Sequence, residues 1–229
     1  MNTNDNNFPN PMNIGTISTP KSFDQLGIVV TDGSGSMFDR TVGGISKADA
    51  VNDAVRGMLS RFKASRYVQN FTFAIVAFGT NATLTTPPTS ATVIDDNGNY
   101  DPTKGHGGGT FIGSGLELAE QLANDFLKFN QGEGLAQSIV IVAMSDGMCG
   151  KPDETKQIAS RIKQNSKITI CSTLFSAVGA NNNEMNAAEQ LLRDIASDPA
   201  MGYQTTYDPE SLRKFFIKSM SASSGVKIN

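Results

Sequence analysis

The segment LGIVVTDGSGS, at residues 26–36, decides the fold. Its first part, Leu26–Thr31, consists of apolar and β-branched residues around one glycine, and the Gly/Ser cluster that follows ends the run. A short apolar run bounded by turn residues predicts a strand that is buried on both faces, as in a parallel sheet. The residues after it, Asp-Gly-Ser-Gly-Ser, bring one carboxylate and two hydroxyl groups to the end of this strand.

Strand-like and helix-like segments alternate from this strand to the end of the chain. Further strands are predicted at residues 71–78, 138–144, 167–175 and 203–207, with an antiparallel edge strand at 82–86. Helices are predicted from Ser46, at 112–127, 153–163 and 188–195, and from Asp208. The alternation predicts an α/β fold, with a doubly wound, mostly parallel central sheet, one antiparallel edge strand and helices on both faces, in a Rossmann-like arrangement.

A long polar connection is predicted between residues 87 and 105. It contains the turn-forming sequence Asp-Asp-Asn-Gly at 95–98. A connection of this length without secondary structure is typical of a functional or highly mobile surface loop.

The length and composition of the chain favour one globular domain. Of its 229 residues, 38% are hydrophobic and 18% are charged, as in ordinary soluble proteins. We expect a flexible arm at residues 1–22, which are rich in Asn, Thr and Pro, then the domain at 23–220 and a short tail at 221–229.

The charge and the apolar runs exclude two classes of partner. A formal net charge of −3 gives no basic surface for a nucleic acid backbone. No stretch approaches the roughly 18 apolar residues of a membrane span, and the first residues lack the pattern of a secretion signal. The two cysteines, Cys149 and Cys171, are too few for a disulfide framework, so we expect free thiols in a cytoplasmic protein.

Oxygen-bearing side chains lie in three loops at the carboxyl ends of the predicted parallel strands. Ligands of doubly wound sheets bind at this end of the sheet. Carboxylate and hydroxyl oxygens favour Mg²⁺, with Mn²⁺ or Ca²⁺ as alternatives, over zinc, which prefers His and Cys. We therefore predict a divalent-metal site formed by Asp32, Ser34, Ser36, Thr110 and Asp146.

In this order and alternation, the five residues resemble the complete metal ion-dependent adhesion site of von Willebrand factor A domains. The resemblance covers about residues 23–220. It implies that Ser34, Ser36 and Thr110 contact the metal, Thr110 depending on the conformational state, and that Asp32 and Asp146 act through water or hydrogen bonds. It also implies that an acidic group of a partner protein completes the coordination. The expected function is thus a metal-dependent protein interaction and not catalysis.

Within this family, the chain resembles small stand-alone bacterial proteins linked to tellurite resistance and stress operons. The features it shares with them are Asp-Gly-Ser-Gly-Ser-Met at residues 32–37, the final helix ending Phe-Phe-Ile-Lys-Ser-Met-Ser at 215–221, and the missing secretion signal. The resemblance implies a role in a bacterial stress response.

Two other functions stay open at this point. A metal-dependent phosphatase or hydrolase would use Asp32 and Asp146, but the sequence contains neither an Asp-x-Asp nucleophile pair nor a Gly-x-Ser-x-Gly elbow. The third possibility is a structural scaffold in which the metal only rigidifies the loops.

Residues beside the predicted site each have two interpretations. His106 is either a solvated loop histidine or an additional ligand, and the first is favoured because a hard-oxygen site does not need it. Asp39 and Arg40 either orient the metal loop or form an exposed ion pair of little consequence. Met148 is either a contact for the partner or a filler of the core or loop.

Overall fold

The computed structural model describes residues 20–41, 43–104, 108–129, 134–176, 183–222, 224–226 and 228, so most of the predicted N-terminal arm lies outside the described residues. Its strands are β1 (Phe23–Asp32), β2 (Phe71–Phe78), β3 (Ala82–Ser90), β4 (Ala136–Ser145), β5 (Ile168–Phe175) and β6 (Tyr203–Thr206). Its α-helices are α1 (Lys47–Lys63), α2 (Ile112–Phe129), α3 (Pro152–Ile162), α4 (Asn183–Ile195) and α5 (Pro209–Ala222).

The strands form one six-stranded sheet in the order β3-β2-β1-β4-β5-β6. All neighbours are parallel except β3, which runs antiparallel to β2 at one edge. The chain builds the sheet outward from β1 in one direction and then from β4 in the other, so the strand order reverses between β1 and β4. This confirms the predicted doubly wound fold and identifies the crevice between these two strands as the place where ligands bind in such sheets.

Both faces of the sheet are covered by helices. In β1, Leu26, Ile28 and Val30 join the apolar cluster that includes residues of α2, α3 and α4. Val29 belongs to the opposite cluster, with the buried residues of α1 and α5. Because both faces are covered, residues 26–30 of β1 are apolar without alternation.

The ends of two helices follow the predicted capping chemistry. The Ser46 side chain accepts a hydrogen bond from the backbone N–H of Asp49, and α1 begins at the next residue. The Asp208 carboxylate accepts one from Ser211 N at 2.7 Å, and Pro209 takes the first position of α5. Both caps satisfy N–H groups that have no partner within the first turn of a helix.

The predicted antiparallel edge strand is confirmed, but it continues to Ser90, so the expected start of the connection at residue 87 is wrong. A register shift between Phe73 and Ile75 places Pro87 and Pro88 opposite a single residue of β2. Proline lacks an N–H group and is tolerated at an edge strand and at a bulge. The two prolines therefore interrupt the ladder without ending the strand.

The connection after β3 packs against α1. Ile94 and Tyr100 are buried in it, and Arg56 of α1 donates to the Gly98 carbonyl at 2.7 Å. Lys63 pairs with Asp96 at 2.8 Å. These contacts fasten residues 91–104 to the domain, while residues 105–107 lie outside the described part of the chain.

The two cysteines are free thiols and both are buried. Cys149 belongs to the apolar cluster of α2, α3 and α4, whereas Cys171 belongs to the cluster on the other face of the sheet. A bridge between them would have to pass through the sheet, since a disulfide requires Cα atoms within about 7 Å. Burial raises the pKa of the Cys171 thiol, which lowers its reactivity.

Within the described residues, no helix has the length and apolar character needed to cross a membrane.

Candidate metal centre

The first metal loop begins inside β1 and not after it, because Asp32 is the last residue of the strand. The next residue, Gly33, donates its N–H to the Phe78 carbonyl of β2 at 2.6 Å. The chain then makes a short 3₁₀ turn at Gly35–Phe38, anchored by the fully buried side chain of Met37. This turn directs the side chains of the loop back across the end of the sheet.

Hydrogen bonds link four of the five predicted residues to one another. Asp32 Oδ1 accepts the backbone N–H of Ser34 at 2.8 Å. The hydroxyls of Ser34 and Ser36 are 3.1 Å apart, and Ser36 Oγ donates to Asp146 Oδ1 at 2.7 Å. Residues separated by more than one hundred positions along the chain thus meet at the crevice between β1 and β4.

Asp32 is a fully buried carboxylate. Its second oxygen, Oδ2, accepts the hydroxyl of Ser145 at 2.6 Å. Burial raises the pKa of Asp32 above its ordinary value, and the nearby charge of Asp146 raises it further, whereas the hydrogen bonds from Ser145 and Ser34 oppose the shift. The ionised form of Asp32 is therefore costly in the protein without a further cation.

Asp146 has a cation beside it. Its side chain is fully buried, and Oδ2 accepts a hydrogen bond from Lys47 Nζ at 2.6 Å, while Oδ1 is held by Ser36. Lys47 is the first residue of α1 and its side chain is 18% exposed. The ammonium therefore satisfies part of the negative charge that the site accumulates.

Thr110 lies two residues before α2, and backbone hydrogen bonds hold its segment beside the loops that follow β2 and β4. Its carbonyl accepts the N–H of Gly150 at 2.7 Å, which ties it to the loop after β4. The N–H of Phe111 is bonded to the Gly79 carbonyl at the end of β2. Three glycines, Gly107, Gly108 and Gly109, precede Thr110, and the first of them lies outside the described residues.

The donor set fits a hard cation. All the side chains in question offer oxygen, and the contact of Lys47 with Asp146 shows that a positive charge is accommodated there. Within the described residues, no three or more His, Cys, Asp or Glu side chains are grouped so as to hold a metal ion. A metal at this crevice would consequently rely on hydroxyl oxygens and water as well as on the two carboxylates.

Two residues of the site were not predicted from the sequence. Ser145 lies at the end of an apolar strand, and Lys47 is 99 positions from its partner Asp146. Neither belongs to a motif with a spacing that reveals it. A weak signal for Lys47 exists, because a cation at the first position of a helix opposes the helix dipole.

The structure gives the positions of Asp39, Arg40 and Met148, which lie beside the predicted site in the sequence. Asp39 Oδ2 is 3.9 Å from Lys47 Nζ, and the Asp39 side chain is exposed. Arg40 instead donates to the Gly44 carbonyl within its own loop. Met148 is exposed, so it is not a core residue. His106 lies outside the described residues.

The chain matches the sequence model of the family described as "von Willebrand factor type A domain" over residues 28–148, which is more than half of its length. It matches none of the curated proteins.

Three similar solved structures are of bacterial proteins. They are the pilus adhesin SpaC from Lactobacillus rhamnosus GG in its open conformation (TM-score 0.66, 13% identity), the PilB minor pilin from Streptococcus sanguinis (0.62, 16%) and a von Willebrand factor type A protein from Catenulispora acidiphila (0.64, 18%). The matches cover 89%, 91% and 90% of this chain but only 30%, 63% and 44% of those proteins. At such identities the likeness shows the fold, and this chain spans about a third of the adhesin's length.

Proposed function

The chain belongs to the von Willebrand factor type A domain family, and on that premise we propose that it is a protein-interaction module that works through a divalent metal. The metal, Mg²⁺ or Mn²⁺ with Ca²⁺ as an alternative, is held by Asp32, Ser34, Ser36, Thr110 and Asp146. An acidic residue of a partner protein binds to it.

The observation that carries this proposal is the convergence of oxygen atoms at the crevice between β1 and β4. Ser34 and Ser36 hydroxyls are 3.1 Å apart, and Ser36 bonds to Asp146 at 2.7 Å. Small neutral ligands with two carboxylates suit Mg²⁺, which keeps part of its water shell and leaves a position for a visiting carboxylate.

The residues of the chain divide the work between them. Ser34, Ser36 and Thr110 offer direct oxygen ligands, in keeping with the family pattern. Asp32 and Asp146 balance the charge and orient the hydroxyls and bound water by hydrogen bonds. When bound, the metal supplies a positive centre that attracts the partner's carboxylate.

Apolar side chains next to the site support a protein as the partner. Phe38 is 65% exposed two residues after Ser36, and Met148 is 49% exposed two residues after Asp146. Aromatic and methionine side chains are enriched in protein interfaces. The adhesin and the pilin among the similar folds are in keeping with this role.

The finer assignment to stand-alone bacterial proteins of tellurite resistance and stress operons is part of the proposal, as is a cytoplasmic location. It rests on the shared motif and the shared form of the final helix. The identities of the genes beside this one would test it, because a stress operon is the expected context.

We expect immobilised protein to capture a partner from a lysate of its source organism with Mg²⁺ present and to release it when a chelator is added. Thr110→Ala should abolish capture, because it removes one metal oxygen without changing charge. Thr92→Ala is the matched control, because Thr92 is exposed and follows β3 at the opposite end of the sheet. Capture that persists in chelator would contradict the proposal, and Mg²⁺-dependent hydrolysis of p-nitrophenyl phosphate would favour the hydrolase instead.

A further inference from the structure

Among the contacts described above, only that of Lys47 with Asp146 brings a positive charge to the crevice. Lys47 Nζ is 2.6 Å from Asp146 Oδ2, and the Asp146 side chain is fully buried. A charge-assisted hydrogen bond to a buried carboxylate is strong, since little water competes for either partner. The ammonium is therefore hydrogen-bonded to Oδ2 of Asp146, a carboxylate that the proposed metal site also uses.

The position of Lys47 is unfavourable for the helix that carries it. It is the first residue of α1, directly after the N-cap Ser46. The N-terminus of a helix carries a partial positive charge, so negative side chains stabilise it and a cation does not. Asp49 in the same turn is the residue that serves the helix. Lys47 is thus placed for its contact with Asp146 and not for the stability of α1.

We propose that Lys47 is a tethered cation that competes with the divalent metal for Asp146 and so sets the metal affinity of the site. This inference rests on the proposed function, because it presupposes the metal. With the ammonium on Asp146, an incoming divalent ion meets a site whose negative charge is already partly balanced. Metal binding must then displace the ammonium or be weakened by it.

Asp39 offers the displaced ammonium a second partner. Its Oδ2 is 3.9 Å from Lys47 Nζ, and its side chain is 71% exposed. The backbone also links the two residues, since Lys47 N–H donates to the Asp39 carbonyl at 2.9 Å. A small rotation of the lysine side chain therefore moves its charge from the buried carboxylate to an exposed one, and frees Asp146 for the metal.

The same charge favours an acidic partner. A divalent ion and the ammonium together exceed the two buried carboxylates, Asp32 and Asp146, by one positive charge. Asp39 offsets little of this charge, because its side chain is 71% exposed and water screens it. A negatively charged group of a partner neutralises this excess, whereas a neutral ligand does not. Lys47 therefore lowers metal affinity in the free domain and raises the preference of the loaded site for a carboxylate.

The test is a titration with Mn²⁺ alone at pH 8, in which the free ion is measured by its electron paramagnetic resonance signal. Lys47→Met removes the charge and keeps the apolar stem, and we expect it to bind Mn²⁺ at least about tenfold more tightly, within the usual range for coupled neighbouring sites. Lys47→Arg keeps the charge and should bind as the wild type does. Lys63→Met is the matched control, since Lys63 lies at the other end of α1, about 24 Å away along the helix axis.

Each result decides something. Tighter binding by Lys47→Met alone supports the tethered cation. Unchanged or weaker binding by Lys47→Met overturns it, as does equal tightening in Lys47→Arg or Lys63→Met, while the metal site itself stands if the wild type binds Mn²⁺. If the folded wild type, checked by circular dichroism, binds no Mn²⁺, the metal site fails and this inference fails with it.

Discussion

Asp32→Asn should weaken divalent-metal binding by about 10–100-fold and leave the domain folded, with an unfolding free energy in chelator equal to or above that of the wild type. Asp32 is fully buried and close to the charge of Asp146. Asparagine keeps the size and the oxygen that accepts Ser34 N–H. It removes a buried negative charge that lacks a full counter-charge when no metal is bound. Functional sites commonly carry such a cost in stability.

The hydroxyl of Ser145 can adapt to this change. It donates to Asp32 Oδ2 at 2.6 Å, but the Gly147 carbonyl is a second acceptor at 3.3 Å. In the variant, the asparagine amide can donate to Ser145 Oγ while Ser145 turns its proton to Gly147. Alanine leaves the buried Ser34 N–H without its acceptor, which costs about 1–3 kcal/mol. Asp32 belongs to the buried strand β1 and not to a loop. Asp32→Ala would therefore lower stability as well as metal binding, which makes it a poorer test than Asp32→Asn.

The measurement for Asp32→Asn combines calorimetric titration of Mg²⁺ with urea unfolding in chelator. We expect metal affinity to fall by about 10–100-fold, as for groups that orient metal ligands and bound water. Asp125→Asn on the exposed face of α2 is the control for the loss of one negative charge. Metal binding at wild-type strength, or a loss of more than about 2 kcal/mol in stability, would contradict the assignment of Asp32.

Phe216→Ala should destabilise the domain by about 3–5 kcal/mol, the usual loss for a buried phenylalanine. Phe216 is fully buried in α5 and belongs to the apolar cluster that joins α5 to α1 and the sheet. Removal of its ring leaves a cavity that the two packed helices cannot fill. Phe129→Ala is the matched control, because Phe129 ends α2 with 87% of its surface exposed and should lose little stability. Urea unfolding of both variants gives the comparison.

The same variant tests whether α5 is coupled to the metal site. The hypothesis to be tested is that a rearrangement of the metal ligands at Thr110 moves α5. A ligand shifts such an equilibrium only by its different affinities for the two states. If α5 merely completes the core, Phe216→Ala loses stability with unchanged Mn²⁺ affinity at a temperature where it stays folded. A change of roughly 5–150-fold in affinity would reveal the coupling.

Much of the fold follows from patterns that are local in the sequence. In the sequence, β1 and β2 are predicted from apolar runs, and the N-caps Ser46 and Asp208 predict the starts of α1 and α5. The prolines of β3 misled the prediction, because the bulge that accommodates them depends on how β2 pairs with β3. Pairing between strands is a tertiary property that a local pattern does not contain.

The candidate site shows the same division. The alternation in the first loop brings Asp32, Ser34 and Ser36 together, and strand ends indicate Asp146 as their neighbour. The hydrogen bond from Ser145 and the ion pair of Lys47 depend on side chains that meet only in three dimensions. Neither partner belongs to a motif, so only the structure reveals how the charge of the two carboxylates is balanced.

The most direct test of the central claim is a crystal of the protein soaked in Mn²⁺ and measured at a wavelength where manganese scatters anomalously. The account predicts one strong anomalous peak in the crevice between β1 and β4, bonded to the hydroxyls of Ser34 and Ser36 and adjacent to Thr110, with Asp32 and Asp146 around it. Bond lengths of about 2.0–2.3 Å are expected for hard oxygen ligands. An absence of the peak at saturating Mn²⁺, or a peak bound elsewhere, would contradict the claim that this chain holds a metal at the five residues.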